Sequence, residues 1–125
     1  MATTIVEFIT ARLDEAEVLA QVASPGPWRP DDEHYAVLAS DGEHVADGFA
    51  LSSNQWRNTV DHIVAHDPVA VLRDLAAMRG ILAEHHPVDP CDAHNAALES
   101  VPCKTLRLIA SRWPNHPDYQ PAWRP

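Results

Sequence analysis

The eleven prolines of this 125-residue chain fall mainly in three clusters, at 25–30, 87–102 and 114–125. Proline lacks an amide hydrogen and fixes φ, so it ends helices and is excluded from the interior of sheets. The clusters therefore mark connecting segments, and helices and strands are expected between them. The last cluster also carries aromatic residues, which predicts an ordered tail that lies against the body of the protein.

The stretch before the first proline cluster has the pattern of an amphipathic helix over about residues 4–23. Thr4 and Glu7 form a capping-box sequence, in which each side chain accepts a hydrogen bond from the other's backbone amide. Apolar residues then recur at steps of three and four. The predicted inward stripe is Ile5, Phe8, Ile9, Leu13, Ala16, Leu19, Ala20 and Ala23.

A β-ribbon is expected over 27–50. Two short, partly alternating segments, 34–39 and 43–49, flank an Asp-Gly pair, which is typical of a hairpin turn. Because two strands alone are only marginally stable, the hairpin needs helices or a third strand, for which 27–29 is the nearest candidate.

Helical periodicity returns over 53–112. The first part places four apolar residues on one face: Trp56, Val60, Ile63 and Val64. Asp67 followed by Pro68 then has the pattern of an N-cap and a first helical position. The helix that starts there is expected to run to His85 and to tolerate Gly80 at a cost of about 1 kcal/mol. Its predicted inward stripe is Val69, Leu72, Leu75, Ala76, Ile81 and Leu82.

A final short helix is expected at 103–111, after a loop at 86–103 and before a tail at 113–125. These patterns together predict one α+β domain over 1–125. Its parts are an N-terminal helix, a short antiparallel hairpin or three-stranded sheet, and two or three further helices.

Four side chains with zinc-ligand chemistry lie in the predicted loop or directly before it: His85, Cys91, His94 and Cys103. The short spacing between Cys91 and His94 lets one tight turn aim both side chains at a single ion, and Zn²⁺ prefers four tetrahedral nitrogen and sulfur ligands. The four residues therefore predict a structural zinc site that clamps two helices. Four protein ligands close the coordination sphere, so no position is left for a reactive water.

These residues have other interpretations. His86 is a second candidate for the first ligand, although the proline after it favours an extended conformation. Cys91 and Cys103 are alternatively two reduced, buried thiols, or a disulfide if the compartment is oxidising. Cys103, beside Lys104 at a helix start, also has the surroundings of an activated thiolate nucleophile.

The chain carries a formal charge of −9, from 18 acidic and 9 basic residues. This charge repels nucleic-acid phosphates and anionic membranes, so direct binding to either is not expected. No apolar run approaches the ~20 residues of a membrane span, and no signal sequence is recognisable, which favours the cytoplasm. One alternative function is an acidic decoy that occupies the basic groove of a nucleic-acid-binding protein.

His62 and His66 share a helix face and are the alternative candidate for catalysis. Asp61 and Asp67 flank them, as a metal-dependent hydrolase with an aspartate base would require. However, Ile63 stands where the zinc-protease motif needs glutamate, and phosphate-loop, nucleophile-elbow and dinucleotide-binding sequences are absent. We therefore expect a non-enzymatic protein, in which Asp67 caps a helix.

A protein partner is expected to contact the tryptophan, tyrosine and arginine residues near the proline clusters, because these residue types concentrate binding energy at interfaces. They are Trp28, Arg29, Trp113, Tyr119, Trp123 and Arg124. The alternative is that the rings pack the core and that the tail only seals it.

Six stretches of the chain have distinctive sequences: FITARLDE at 8–15, SPGPWR at 24–29, DHIVAHDP at 61–68, PCKTLR at 102–107, HPDY at 116–119 and WRP at 123–125. Together they resemble a domain-of-unknown-function family of small actinobacterial and actinophage proteins, DUF6221, over most of the chain.

Members of that family typically have a histidine that closes the long helix, a Cys-x-x-Cys pair and a later Pro-Cys, which looks like a three-cysteine, one-histidine zinc site. Those positions fall here on His85, Cys91, His94 and Cys103. His94 replaces the second cysteine, and histidine preserves a zinc ligand. The resemblance implies zinc and an actinobacterial or phage cytoplasm, and it implies no reaction. A small, cytoplasmic, zinc-stabilised protein-binding or accessory module is the function expected from the sequence.

Overall fold

A computed structural model describes residues 3–48, 53–85 and 102–125 of the chain. The elements in chain order are α1 (Ile5–Val22), β1 (Arg29–Pro30), β2 (Ala36–Leu38), β3 (His44–Asp47), α2 (Ser53–Ala65), α3 (Pro68–Glu84), α4 (Lys104–Ala110) and a 3-10 helix at Pro121–Trp123. The predicted α+β class, the N-terminal helix and the further helices are confirmed. Most of the predicted zinc-stapled loop lies outside the described residues.

The chain divides into two compact units. The sheet unit comprises Ala16–Asp74, and the tail unit comprises Met1–Glu15 and Leu75–Pro125. Among the described residues, none of the helices has the length and apolar character of a bilayer-crossing segment.

Helix α1 begins as its sequence predicts. The Glu7 amide donates to Thr4 Oγ1 at 3.1 Å, and the Thr4 amide donates to Glu7 Oε2 at 3.3 Å. These two bonds satisfy amide groups that the first turn of a helix otherwise leaves without partners. The helix boundary is therefore fixed by two residues that are three positions apart.

The ribbon is a three-stranded antiparallel sheet in the order β1-β2-β3. Strand β1 pairs Arg29 with Leu38, and its proline lies on an edge strand, where a missing amide is tolerated. Strand β3 pairs Ala46 with Val37 across the predicted Asp-Gly turn, in which Gly42 has a φ of +87°. A positive φ of this kind favours glycine, because it has no Cβ.

The core of the sheet unit lies between the sheet and α2. Val37, Trp56 and Val60 form its buried centre. Trp28 and apolar residues of β3 and α2 pack around them as partly buried neighbours. The indole Nε1 of Trp56 also donates to the carbonyl of Tyr35, so the largest side chain of this core has its polar atom satisfied.

The core of the tail unit is built around Phe8, which is 1% exposed. Its ring meets those of four C-terminal residues at centroid distances of 5.1–6.2 Å: Trp113, His116, Tyr119 and Trp123. The Gln120 side chain donates to the carbonyl of Thr3 at 3.0 Å. The C-terminal segment is therefore packed against the start of α1, as the mixture of prolines and aromatic residues predicts.

Four apolar residues of the predicted inward stripes are exposed. Leu19 of α1 is 69% exposed and Ile81 of α3 is 42% exposed, and the alanines Ala23 and Ala76 are exposed as well. Their placement on the buried face was wrong. Periodicity identifies the apolar side of a helix, but the exposure of a position on that side depends on which neighbours cover it.

The loop between β1 and β2 depends on a carboxylate. Asp31 Oδ1 accepts hydrogen bonds from the Ala36 amide at 3.1 Å and from the Tyr35 amide at 2.7 Å. These two bonds lower the pKa of the Asp31 carboxyl below its ordinary value of 3.8, because they favour the charged form. Within the loop, His34 adopts a left-handed φ of 58°.

The lowered pKa predicts a pH-dependent contribution of Asp31 to stability. Since the folded pKa is below 3.8, the contribution is complete above that pH and is lost as the pH falls through the folded value. Asp31→Asn keeps an acceptor but cannot titrate. Urea unfolding should therefore show that the parent has a larger free energy of unfolding than the variant at about pH 6. This difference should shrink as the pH falls into the acid range. A difference that does not change with pH would contradict this account.

Two glycines predict opposite effects of an added methyl group. A Cβ on Gly80, which is exposed in α3, would meet no atom within 4 Å, whereas a Cβ on Gly48 would overlap the indole of Trp56. Gly80→Ala should raise the free energy of unfolding by about 1 kcal/mol, because alanine is the better helix former. Gly48→Ala should lower it by about 1–3 kcal/mol through overpacking. Urea denaturation of both variants checks the pair, and effects of the same sign would contradict it.

Candidate metal site and apolar groove

Two of the four predicted zinc ligands lie side by side. His85 directly follows α3, and Cys103 is the N-cap residue of α4, with extended backbone and no side-chain capping bond. Cys103 Sγ and His85 Nδ1 are 3.7 Å apart. Ligand distances of about 2.3 Å for sulfur and about 2.1 Å for nitrogen, with tetrahedral angles, separate two ligands of one zinc ion by about 3.6 Å. The half-buried pair thus has a spacing that one zinc ion can bridge.

The other predicted ligands, Cys91 and His94, lie outside the described residues, as does the alternative ligand His86. The proposed disulfide partner of Cys103 is Cys91, so that alternative also falls outside them. In the part of the chain that the structure describes, no three or more His, Cys, Asp or Glu side chains are grouped to hold a metal ion. Of the predicted zinc site, the structure therefore brings together His85 and Cys103.

Arg107 holds the backbone directly before Cys103. Its Nε donates to the carbonyl of Pro102 at 3.0 Å, and its Nη1 donates to the carbonyl of Arg124 at 3.2 Å. Charge-assisted bonds of this kind are stronger than neutral ones. One side chain therefore holds both the residue before Cys103 and the C-terminal tail.

The predicted partner-binding aromatic residues of the tail are committed to packing within the tail unit. Trp123 is 4% exposed, and Trp113 and Tyr119 are half-buried beside Phe8. Arg124 is exposed. Little of the Trp123 ring is available to a partner in this arrangement.

Trp28, the predicted contact residue of the sheet unit, is held by two hydrogen bonds. Its amide donates to Asp67 Oδ2 at 2.9 Å, and its indole Nε1 donates to the carbonyl of Ser24 at 2.9 Å. The ring is half-buried, whereas the neighbouring Arg29 is exposed. Trp28 therefore presents part of a rigidly positioned ring to the surface.

The alternative catalytic histidines face solvent, with their ring centroids 4.4 Å apart. His66 Nδ1 donates to the carbonyl of His62 at 2.8 Å. The flanking aspartates have other partners: Asp61 Oδ1 lies 2.7 Å from His34 Nε2, and both oxygens of Asp67 bind backbone amides. The structure thus brings the two histidines together, while both flanking aspartates are bound to other groups.

A groove that the sequence did not predict lies on the surface of the sheet unit. Helix α1 contributes Ala16, Leu19, Ala20 and Ala23. Pro68 and Val71 of α3 line the groove as well, together with Trp28 and His66, and its volume is about 280 Å³. The groove exists because the alanine side chains of α1 are small. The recurrence of apolar residues at steps of three and four along α1 is the only signal for the groove in the sequence.

Asp67 is the side chain on which this region depends most. It is 6% exposed, and its Oδ1 accepts the Ala70 amide at 2.8 Å while Oδ2 accepts the Trp28 amide. Asp67→Ala leaves both amides without partners, so we expect the free energy of unfolding to fall by about 2–4 kcal/mol. Asp61→Ala, which removes an exposed ion pair, is the matched control and should cost less than about 1 kcal/mol. Equal losses in chemical denaturation would argue against the capping role.

Comparisons with known proteins support a family assignment. No curated protein and no solved structure matches the chain. The sequence profile of a family of unknown function, DUF6221, matches residues 2–125. Because this match covers nearly the whole chain, the protein belongs to the family DUF6221.

Proposed function

We propose that this protein is a zinc-stabilised, non-enzymatic binding module in which His85, Cys91, His94 and Cys103 hold one structural Zn²⁺. The observation that carries the proposal is the 3.7 Å separation of Cys103 Sγ and His85 Nδ1, which matches that of two ligands on one tetrahedral ion. The residues come from different parts of the chain, and no local sequence constraint requires them to meet.

The ion stabilises the tail unit by joining the end of α3 to the start of α4. Helix α4 lacks a side-chain cap at this end, since Cys103 makes no such hydrogen bond. Deprotonated Cys103 and neutral His85 are the ligand forms that zinc requires. The proposed setting is the cytoplasm, where thiols remain reduced and able to bind metal.

The metal-dependent hydrolase alternative has less support. A general base must reach the proton that it removes, and the carboxylates beside His62 and His66 are already engaged. Asp61 pairs with His34, and Asp67 is buried with both oxygens bound to backbone amides. The binding function therefore has the stronger argument.

The zinc proposal is tested by elemental analysis of protein purified without an affinity metal. The parent should contain about one zinc per chain, and Cys91→Ser and Cys103→Ser should each lose it and unfold at a lower temperature. The double variant His62→Ala, His66→Ala is the matched control, because it removes two exposed histidines of the sheet unit. It should retain the metal.

Two results would overturn the zinc proposal. The first is parent protein that contains no zinc and has two freely titrating thiols. In that case rapid alkylation of Cys103 would favour the nucleophile alternative. The second is loss of metal from the His62→Ala, His66→Ala variant alone, which would move the site to the sheet unit and favour the hydrolase.

A further inference from the structure

We infer that the apolar groove of the sheet unit binds a basic amphipathic helix of a partner protein. This inference rests on the proposed binding function and deepens it, because it names the surface and the chemistry of the partner. Three observations carry it: the size and lining of the groove, the exposed apolar residues of α1 beside it, and the charge of the unit that surrounds it.

The lining of the groove favours apolar side chains of a partner. The groove has a volume of about 280 Å³, and all of its lining residues except Trp28 and His66 are purely aliphatic. Apolar side chains spaced along one face of a helix fit such a groove, as in other helix-in-groove complexes. The alanines of α1 provide the depth, and Leu19 provides an apolar edge.

Helix α1 exposes three large apolar side chains, one of which lines the groove. Leu19, the lining residue, is 69% exposed, and Val22, three positions after it, and Val18, one position before it, are 75% and 56% exposed. Clustered exposure of this kind marks interaction sites, whereas scattered exposed apolar residues do not. A helix laid along the groove would cover this edge.

Trp28 gives the groove a rigid aromatic wall. Hydrogen bonds to Asp67 and Ser24 fix its amide and its indole nitrogen, so the ring loses little conformational freedom when a partner binds. Tryptophan in such a position is typical of interface residues that dominate binding energy. The wall and the apolar edge therefore form a preorganised surface.

The charge of the sheet unit selects a basic partner. Residues 16–74 contain ten carboxylates and three arginines, so they carry −7 of the total charge of −9. Asp74 follows the groove residue Val71 by three positions on α3, which puts it on the same side of the helix. This field attracts a lysine-rich or arginine-rich helix and repels a second copy of this chain and an anionic membrane.

The test uses a fluorescein-labelled synthetic peptide of about 18 residues, with leucines along one helical face and lysines elsewhere. Fluorescence anisotropy measures its binding to the full chain. We expect Leu19→Ser to weaken binding about tenfold, because serine buries much less apolar surface against the peptide than leucine does. Leu108→Ser is the matched control, since Leu108 is a 50% exposed leucine on α4, and it should not change the affinity. A peptide with glutamate in place of lysine should not bind.

Several results would overturn the inference. Equal affinity of the parent, Leu19→Ser and Leu108→Ser for the lysine peptide would show charge attraction without a groove. Equal affinity for the glutamate peptide and the lysine peptide would contradict the requirement for a basic partner. A parent dimer in sedimentation that Leu19→Ser dissociates would make a second copy the occupant.

Zinc content, measured on the same samples, separates this inference from the zinc proposal. Zinc-loaded protein that does not bind the lysine peptide overturns the groove inference and leaves the zinc module in place. Zinc-free protein that binds the peptide through Leu19 supports the groove and overturns the zinc proposal alone.

Discussion

The buried carboxylate of Asp67 is the interaction on which the sheet unit depends. It caps α3 through the Ala70 amide and binds the Trp28 amide, 39 residues earlier in the chain. A buried carboxylate is stable only when its oxygens are satisfied, and here two backbone amides satisfy them. The same residue therefore starts a helix, fixes the chain before β1 and orients the aromatic wall of the proposed binding groove.

The tail unit is held together by aromatic packing and by one arginine. Phe8 packs against aromatic rings of the C-terminal segment, and Arg107 donates hydrogen bonds to the carbonyls of Pro102 and Arg124. The proposed zinc site adds a third constraint at the same end of α4. In the proposed function, the zinc site stabilises the tail unit, and the apolar groove of the sheet unit binds the partner.

Local sequence signals predicted the element boundaries well. The capping box at Thr4 and Glu7 and the Asp67–Pro68 pair each act over a few residues, so the chain has little freedom to place them elsewhere. The same holds for the Asp-Gly turn of the hairpin. Leu19 was assigned to the buried face wrongly, because periodicity defines the apolar side of α1 but not the neighbours that cover it.

The sequence by itself determined the α+β class and the helix starts, because each depends on the chemistry of neighbouring residues, and it identified the side chains with zinc-ligand chemistry. Only the tertiary structure decided that Asp67 binds Trp28, that His85 meets Cys103 and that the alanines of α1 open a groove. These features join residues far apart in the chain. Their distances follow from how helices and strands pack, which no short stretch of sequence encodes.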